Sequence, residues 1–115
     1  MLYISVQDFF EKTAEILPLG REEERACAAR MRQGDEAARE RLIRAYLPLI
    51  ASHIKHAPQY IQGLHLVMLC VKELDSAVDT FDFLQNSESF AHRFEWQLRQ
   101  IIVRHLTDAR AIGEL

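Results

Sequence analysis

In the last quarter of this 115-residue chain, Arg93, Trp96, Arg99, Gln100 and Arg104 recur at helical spacing. Arginine neutralises phosphate, and an indole offers an unstacked base a sequence-tolerant platform, so this set suits a single-stranded nucleic acid. Elsewhere the chemistry is sparse. His53 and His56 share a helix face at i, i+3, but no third ligand follows at a metal-site spacing, so no metal is expected. Cys27 and Cys70 stand singly in apolar stretches, which argues against a disulfide framework or a zinc knuckle and for a reduced, cytoplasmic setting. There is no glycine-rich phosphate loop, no nucleophile elbow and no Cys–His arrangement, and the carboxylates fall on helix surfaces. The residues point to binding without a cofactor, not to an enzyme.

Helices must position those residues. Only four Gly and three Pro punctuate the chain, period-two alternation is missing, and the apolar spacing predicts an all-α bundle of about five helices. Ser5 and Asp8 resemble a capping box ahead of a first helix with Phe9, Phe10, Ile16 and Leu17 on one face. Pro18-Leu19-Gly20 would end it, giving an N-terminal helix in residues 1–18 and a helical unit over 19–115 within one compact domain. A second helix is predicted over 21–32, with Glu22, Glu23 and Glu24 favourably placed in its first turn. Gly34 suits a C-terminal cap and Asp35 an N-cap for a third helix over 36–57, kinked or restarted by Pro48. The loop 58–63 precedes a fourth helix over 64–81, and a fifth runs from near Ser89 to about residue 110.

On a helical wheel the fourth helix gathers Leu66, Val67, Cys70, Val71, Leu74, Ala77, Val78 and Phe81 within about 140° of arc, an ordinary core stripe. Met68 and Leu69 fall instead among Lys72, Glu73, Asp75, Ser76 and Asp79. They are either covered by another helix, simply scattered on the surface, or part of a contact face for a partner or a second copy. The fifth helix buries Phe90, Phe94, Leu98 and Ile101, with His105 alongside as a hydrogen-bonded core histidine. Its other side carries His92, Arg93, Trp96, Arg99, Gln100, Val103 and Arg104.

Charge sharpens that contrast. The whole chain carries a formal −3, which discourages a purely electrostatic nucleic-acid coat. Residues 89–115 nevertheless carry four bases against three acids, the one net-positive third. With 49% hydrophobic and 27% charged residues the composition is that of a globular protein. Its longest apolar run, Leu66 to Val71, is far too short for a membrane span, and Met1-Leu2-Tyr3-Ile4 lacks the features of a signal peptide. No membrane role is expected.

Residues 19–106 resemble the first conserved helical region and the region-2 core of sigma-70 family transcription initiation factors. The resemblance rests on Glu22-Glu23-Glu24, on Gly34-Asp35-Glu36-Ala37-Ala38-Arg39-Glu40-Arg41-Leu42-Ile43, and on Tyr46-Leu47-Pro48-Leu49-Ile50. It continues through Ala77-Val78-Asp79-Thr80-Phe81-Asp82 and then Phe90, Trp96 and Arg99-Gln100. Order and spacing agree over about 88 residues. The resemblance implies a region-2-like helical domain in which the fourth helix meets the RNA polymerase core and the last helix meets single-stranded minus-ten promoter DNA. By position, the promoter-contacting residues would be Phe90, Arg93, Trp96, Gln97, Arg99, Gln100 and Arg104.

The chain also departs from the family. His65, Met68, Leu69 and Val71 stand where the family places acidic and amide residues for polymerase. Arg93 occupies a base-capturing aromatic position, and Gln97 the second position of a tryptophan pair. No helix-turn-helix of the kind that would read an upstream promoter element follows within these 115 residues. Two expectations result. One is a sigma-like initiation protein acting through its last helix. The other is an interaction module, a dimer or regulator of transcription, using His65, Met68, Leu69 and Lys72.

Overall fold

The computed structural model describes residues 3–85 and 88–113, with side chains described through residue 110. Ser5 opens the first helix, α1 (Val6–Ala14), by accepting the Asp8 N–H at 3.0 Å. Asp8 in turn accepts the Ile4 N–H at 3.0 Å and pairs with Lys12 at 3.1 Å. These contacts hold the Asp8 carboxyl below its usual range, the backbone donor from Ile4 foremost. The helix ends at Ala14, earlier than the predicted stop at Pro18. Proline disfavours helical backbone at the residue before it, so Leu17 leaves the helix and is 73% exposed rather than sharing the apolar face. Phe9 and Phe10 are buried in the same core as the later helices.

α2 (Arg21–Arg32) and α3 (Glu36–Ala45) form a hairpin whose turn matches its sequence signals. Gly34 adopts φ 93°, a left-handed backbone that L side chains rarely take. Asp35 caps α3 by accepting the Ala38 N–H at 3.2 Å. The predicted third helix is two helices, because Pro48 restarts it. α3 closes at Tyr46 and α4 (Leu47–Lys55) begins there with Pro48 in its first turn, where the missing N–H has no intrahelical acceptor to lose. A 3₁₀ turn (Gln59–Ile61) leads to α5 (Leu64–Thr80), and α6 (Phe90–Gly113) completes the fold. All the described secondary structure is helical, as the apolar spacing predicted.

The core is built where α4, α5 and α6 meet. Ile50 and Ile54, Leu66, Cys70, Leu74 and Val78, and Phe94 and Leu98 are fully enclosed. Burial of each such side chain contributes roughly 1.5–3 kcal/mol, which stabilises helices that would be marginal alone. Phe90 sits at the centre of an aromatic cluster, with ring centroids 4.7 Å from Tyr46, 5.2 Å from Phe81, 5.0 Å from Phe83 and 5.6 Å from Phe94.

The α2–α3 hairpin is fastened to this core by polar contacts. Arg25 donates to the Leu84 carbonyl at 2.8 Å, and Arg32 reaches Asp82 at 2.8 Å. Tyr46 donates its hydroxyl to Glu24, and burial together with that carboxylate pushes the phenol well above its ordinary range. Arg39 meets both carboxylate oxygens of Asp79 at 2.9 and 2.8 Å and Asp75 at 2.9 Å. The fork of one guanidinium thus ties α3 to two successive turns of α5.

Candidate nucleic-acid interface

α6 has one face that the fold requires and one that it does not. Phe90, Phe94 and Leu98 turn inward and are buried, and Ile101 and Ile102 continue that side half-buried. Trp96 turns outward and is 62% exposed, so no neighbouring helix covers it. His92, Arg93, Arg99, Gln100, Val103 and Arg104 are exposed with it. Leaving an indole in water forgoes the burial that a tryptophan offers, which makes its outward placement a candidate contact point.

The charges on that face are nearly free. Arg93 lies 3.9 Å from Glu88, a long contact between exposed side chains that water screens. Arg99 and Arg104 have no ion-pair partner among the described residues. Glu95, the acid nearest in sequence to Trp96, turns toward α4 and lies 3.6 Å from His53. The outward face therefore keeps its arginines and loses one neutralising carboxylate to the neighbouring helix. Glu88 before the helix and Asp108 near its far end are both exposed.

Two residues expected at this interface stand differently. Phe90 is 2% exposed and locked in the aromatic cluster, so it cannot stack on a base without dismantling the core. That corrects its expected contact role and agrees with its place on the wheel's buried stripe. Gln97 is half-buried and lines, with Arg93, a cleft of about 250 Å³ floored by Phe81, Phe90 and Phe94 and edged by Asp82. Trp96, Arg99, Gln100 and Arg104 are all on the open surface.

The second expected set, on α5, is divided. Met68 is 68% and Leu69 37% exposed, so neither is covered by another helix. Met68 and Lys72 line a groove of about 770 Å³ between α1, α3 and α5. His65 lies outside it, its ring 5.5 Å from that of His105 on α6. His105 accordingly meets an imidazole, not the hydrogen-bonding core partner expected of it. No sequence signal marks the groove itself. Its walls come from Tyr3 and Ile16 as well as from α3 and α5, and no local spacing reports that α1 packs where it does.

The remaining reactive groups are dispersed. Among the described residues no three His, Cys, Asp or Glu side chains gather as metal ligands. His53 faces Glu95, while the Nδ1 of His56 lies 2.7 Å from the Ser52 carbonyl oxygen at the end of its own helix. Cys27 and Cys70 are buried and unlinked, and burial, helped by Glu73, pushes the Cys70 thiol up to about 12. A thiol so raised is a poor nucleophile at neutral pH. Among the described residues, no helix is long and apolar enough to cross a membrane. No family model matches the chain, and no solved structure matches it.

Proposed function

We propose that this protein is a sigma-like transcription initiation factor that binds single-stranded DNA through the outward face of α6. The observation that carries the reading is Trp96, 62% exposed on a helix whose opposite side is core, beside two arginines with no ion-pair partner among the described residues. Arg93, Arg99 and Arg104 supply phosphate contacts, Trp96 the stacking platform, and Gln97 and Gln100 side-chain amides for a base edge. The resemblance to sigma-70 region 2 narrows the ligand to the minus-ten region of promoter DNA and names core RNA polymerase as the partner. The role is recognition, without catalysis and without a cofactor, in the cytoplasm.

Trp96 is the one tryptophan in the chain, so its fluorescence reports directly on the face in question. Titration with a single-stranded oligonucleotide of minus-ten type at low salt is expected to quench it, and more strongly than the same sequence as duplex. Absence of any fluorescence change or complex at low salt defeats the DNA reading. Co-purification with core polymerase subunits checks the partner, and its absence removes polymerase while leaving the DNA measurement to stand by itself.

A further inference from the structure

Glu95 stands on α6 at the boundary between the buried stripe, with Phe94 and Leu98, and the outward face, with Trp96 and Arg99. Two basic side chains compete for its carboxylate. His53 projects from α4, which packs against α6, and its Nε2 lies 3.6 Å from Glu95 Oε1. Arg99 is one turn further along α6 and about 40° away around the axis, in the order Glu then Arg at i, i+4 that favours pairing. The structure shows the first pairing and not the second. Arg99 is exposed and has no ion-pair partner among the described residues.

What holds Glu95 to His53 depends on the charge of the imidazole. At 3.6 Å the contact is longer than a hydrogen bond, so the attraction is between ions and is lost when the ring is neutral. The two side chains are 20% and 35% exposed, which screens that attraction less than open water would. Arg99, by contrast, stays charged throughout the accessible pH range. The other titratable groups around the pair are engaged elsewhere or exposed. Lys55 lies over the Phe10 ring at 5.0 Å, His56 Nδ1 is 2.7 Å from the Ser52 carbonyl oxygen, and His65 meets His105. Tyr60 on the 3₁₀ turn and His92 on α6 are exposed. Among the described residues neither His53 nor Glu95 makes a second ion pair.

We propose that His53 is a positioning residue of the α6 interface: protonated, it holds Glu95 against α4 and leaves Arg99 open to a phosphate, and neutral, it releases Glu95 to cover Arg99. The inference rests on the DNA reading and adds a regulation to it, since a strand then binds more tightly as pH falls through the range in which histidines charge. Binding of the polyanion and protonation of His53 favour the same arrangement of Glu95, so each promotes the other. At the alkaline end the strand must break one exposed Glu–Arg pair, which sets the effect at roughly two- to fivefold in affinity.

Fluorescence anisotropy of a labelled single-stranded oligonucleotide of minus-ten type, at fixed salt between about pH 5.5 and about pH 8, tests it on the full chain. The wild type is expected to bind roughly two- to fivefold more tightly at the acid end. His53→Gln is expected to remove that change by lowering the acid-end affinity, whereas His56→Gln keeps the wild-type profile. Glu95→Gln is expected to raise affinity at the alkaline end alone, a gain that a misfolded variant does not produce. Added to Glu95→Gln, His53→Gln is expected to change nothing further. Any slope left in that double variant is assigned to His92, and His92→Gln is expected to remove it. A wild type that binds equally across the range overturns the inference and leaves the DNA reading standing. So does a Glu95→Gln gain equal at both ends, which is plain charge removal, or a His53→Gln loss that persists without Glu95, which is a direct effect of the imidazole on the strand. So do His53→Gln and His56→Gln variants of the same profile. Binding at no pH in the range defeats the DNA reading and this inference with it.

Discussion

α5 and α6 each turn an unneeded face to water, and those faces differ in what they leave unsatisfied. On α6 the surplus is cationic and aromatic: Trp96 is flanked by arginines, and the nearby acid Glu95 is drawn off toward His53. On α5 the surplus is aliphatic: Met68 projects at a groove whose floor is already apolar, and Leu69 is exposed outside that groove's lining. A face of the first kind suits a polyanion with unstacked rings, whereas the second suits another protein surface. Two helices packed on one core thus present unlike outer faces, and mutations are expected to tell them apart.

The widest separation is expected across α6 itself. Phe94→Ala empties a fully buried ring site and is expected to cost about 3–5 kcal/mol of stability. Trp96→Ala, two residues away, is expected to stay within about 0.5 kcal/mol of wild type, because its ring is mostly hydrated in the folded state. Urea denaturation of both variants measures the gap. A Trp96→Ala variant as unstable as Phe94→Ala would mean that the indole is packed, and the contact face would lose its central residue.

Binding then separates α6 from α5. Trp96→Ala is expected to weaken a single-stranded oligonucleotide by about 1–3 kcal/mol, while Met68→Glu leaves that affinity within about twofold of wild type. Fluorescence anisotropy of a labelled oligonucleotide reads both. Arg99→Ala is expected to reduce the slope of log affinity against log salt by about 0.7, the loss of one phosphate contact to a single strand. If Met68→Glu weakens DNA as much as Trp96→Ala does, the two faces act as one surface and the division fails.

Much of this architecture follows from local signals. Ser5 before α1, Gly34 and Asp35 in the α2–α3 turn, and Pro48 at the α3–α4 junction each act within a few residues, so reading them needs no tertiary knowledge. The wheel for α5 separated the buried Leu66, Cys70, Leu74 and Val78 from the exposed Met68 because helical period decides which side faces the core. Phe90 illustrates the converse. Its period assigned it to the core, the resemblance assigned it to DNA, and four surrounding aromatic rings agree with the period. What stayed illegible depends on packing between distant segments. Neither the packing of α1 on α4, which gives the groove one of its walls, nor the meeting of His65 with His105 leaves any trace in residue spacing.

The smallest expected effect concerns the end of the groove. Arg39 closes it by clasping Asp75 and Asp79, and its hydrogen bonds hold the Asp79 carboxyl below the ordinary range. A carboxyl lowered on folding contributes stability that is present above its unfolded pKa of about 3.9 and lost as pH falls through the lower folded value. These are exposed acids, and solvent screening limits the clasp to about 0.5–1 kcal/mol. Arg39→Gln is therefore expected to destabilise the chain by that amount at pH 7, and the deficit is expected to shrink as pH falls below about 4. Urea midpoints of wild type and variant across that range measure it. The same acid series is expected to change the Phe94→Ala deficit less, since that deficit comes from the lost burial of a ring. A deficit for Arg39→Gln that persists in acid would assign Arg39 to packing along α5 rather than to the two carboxylates.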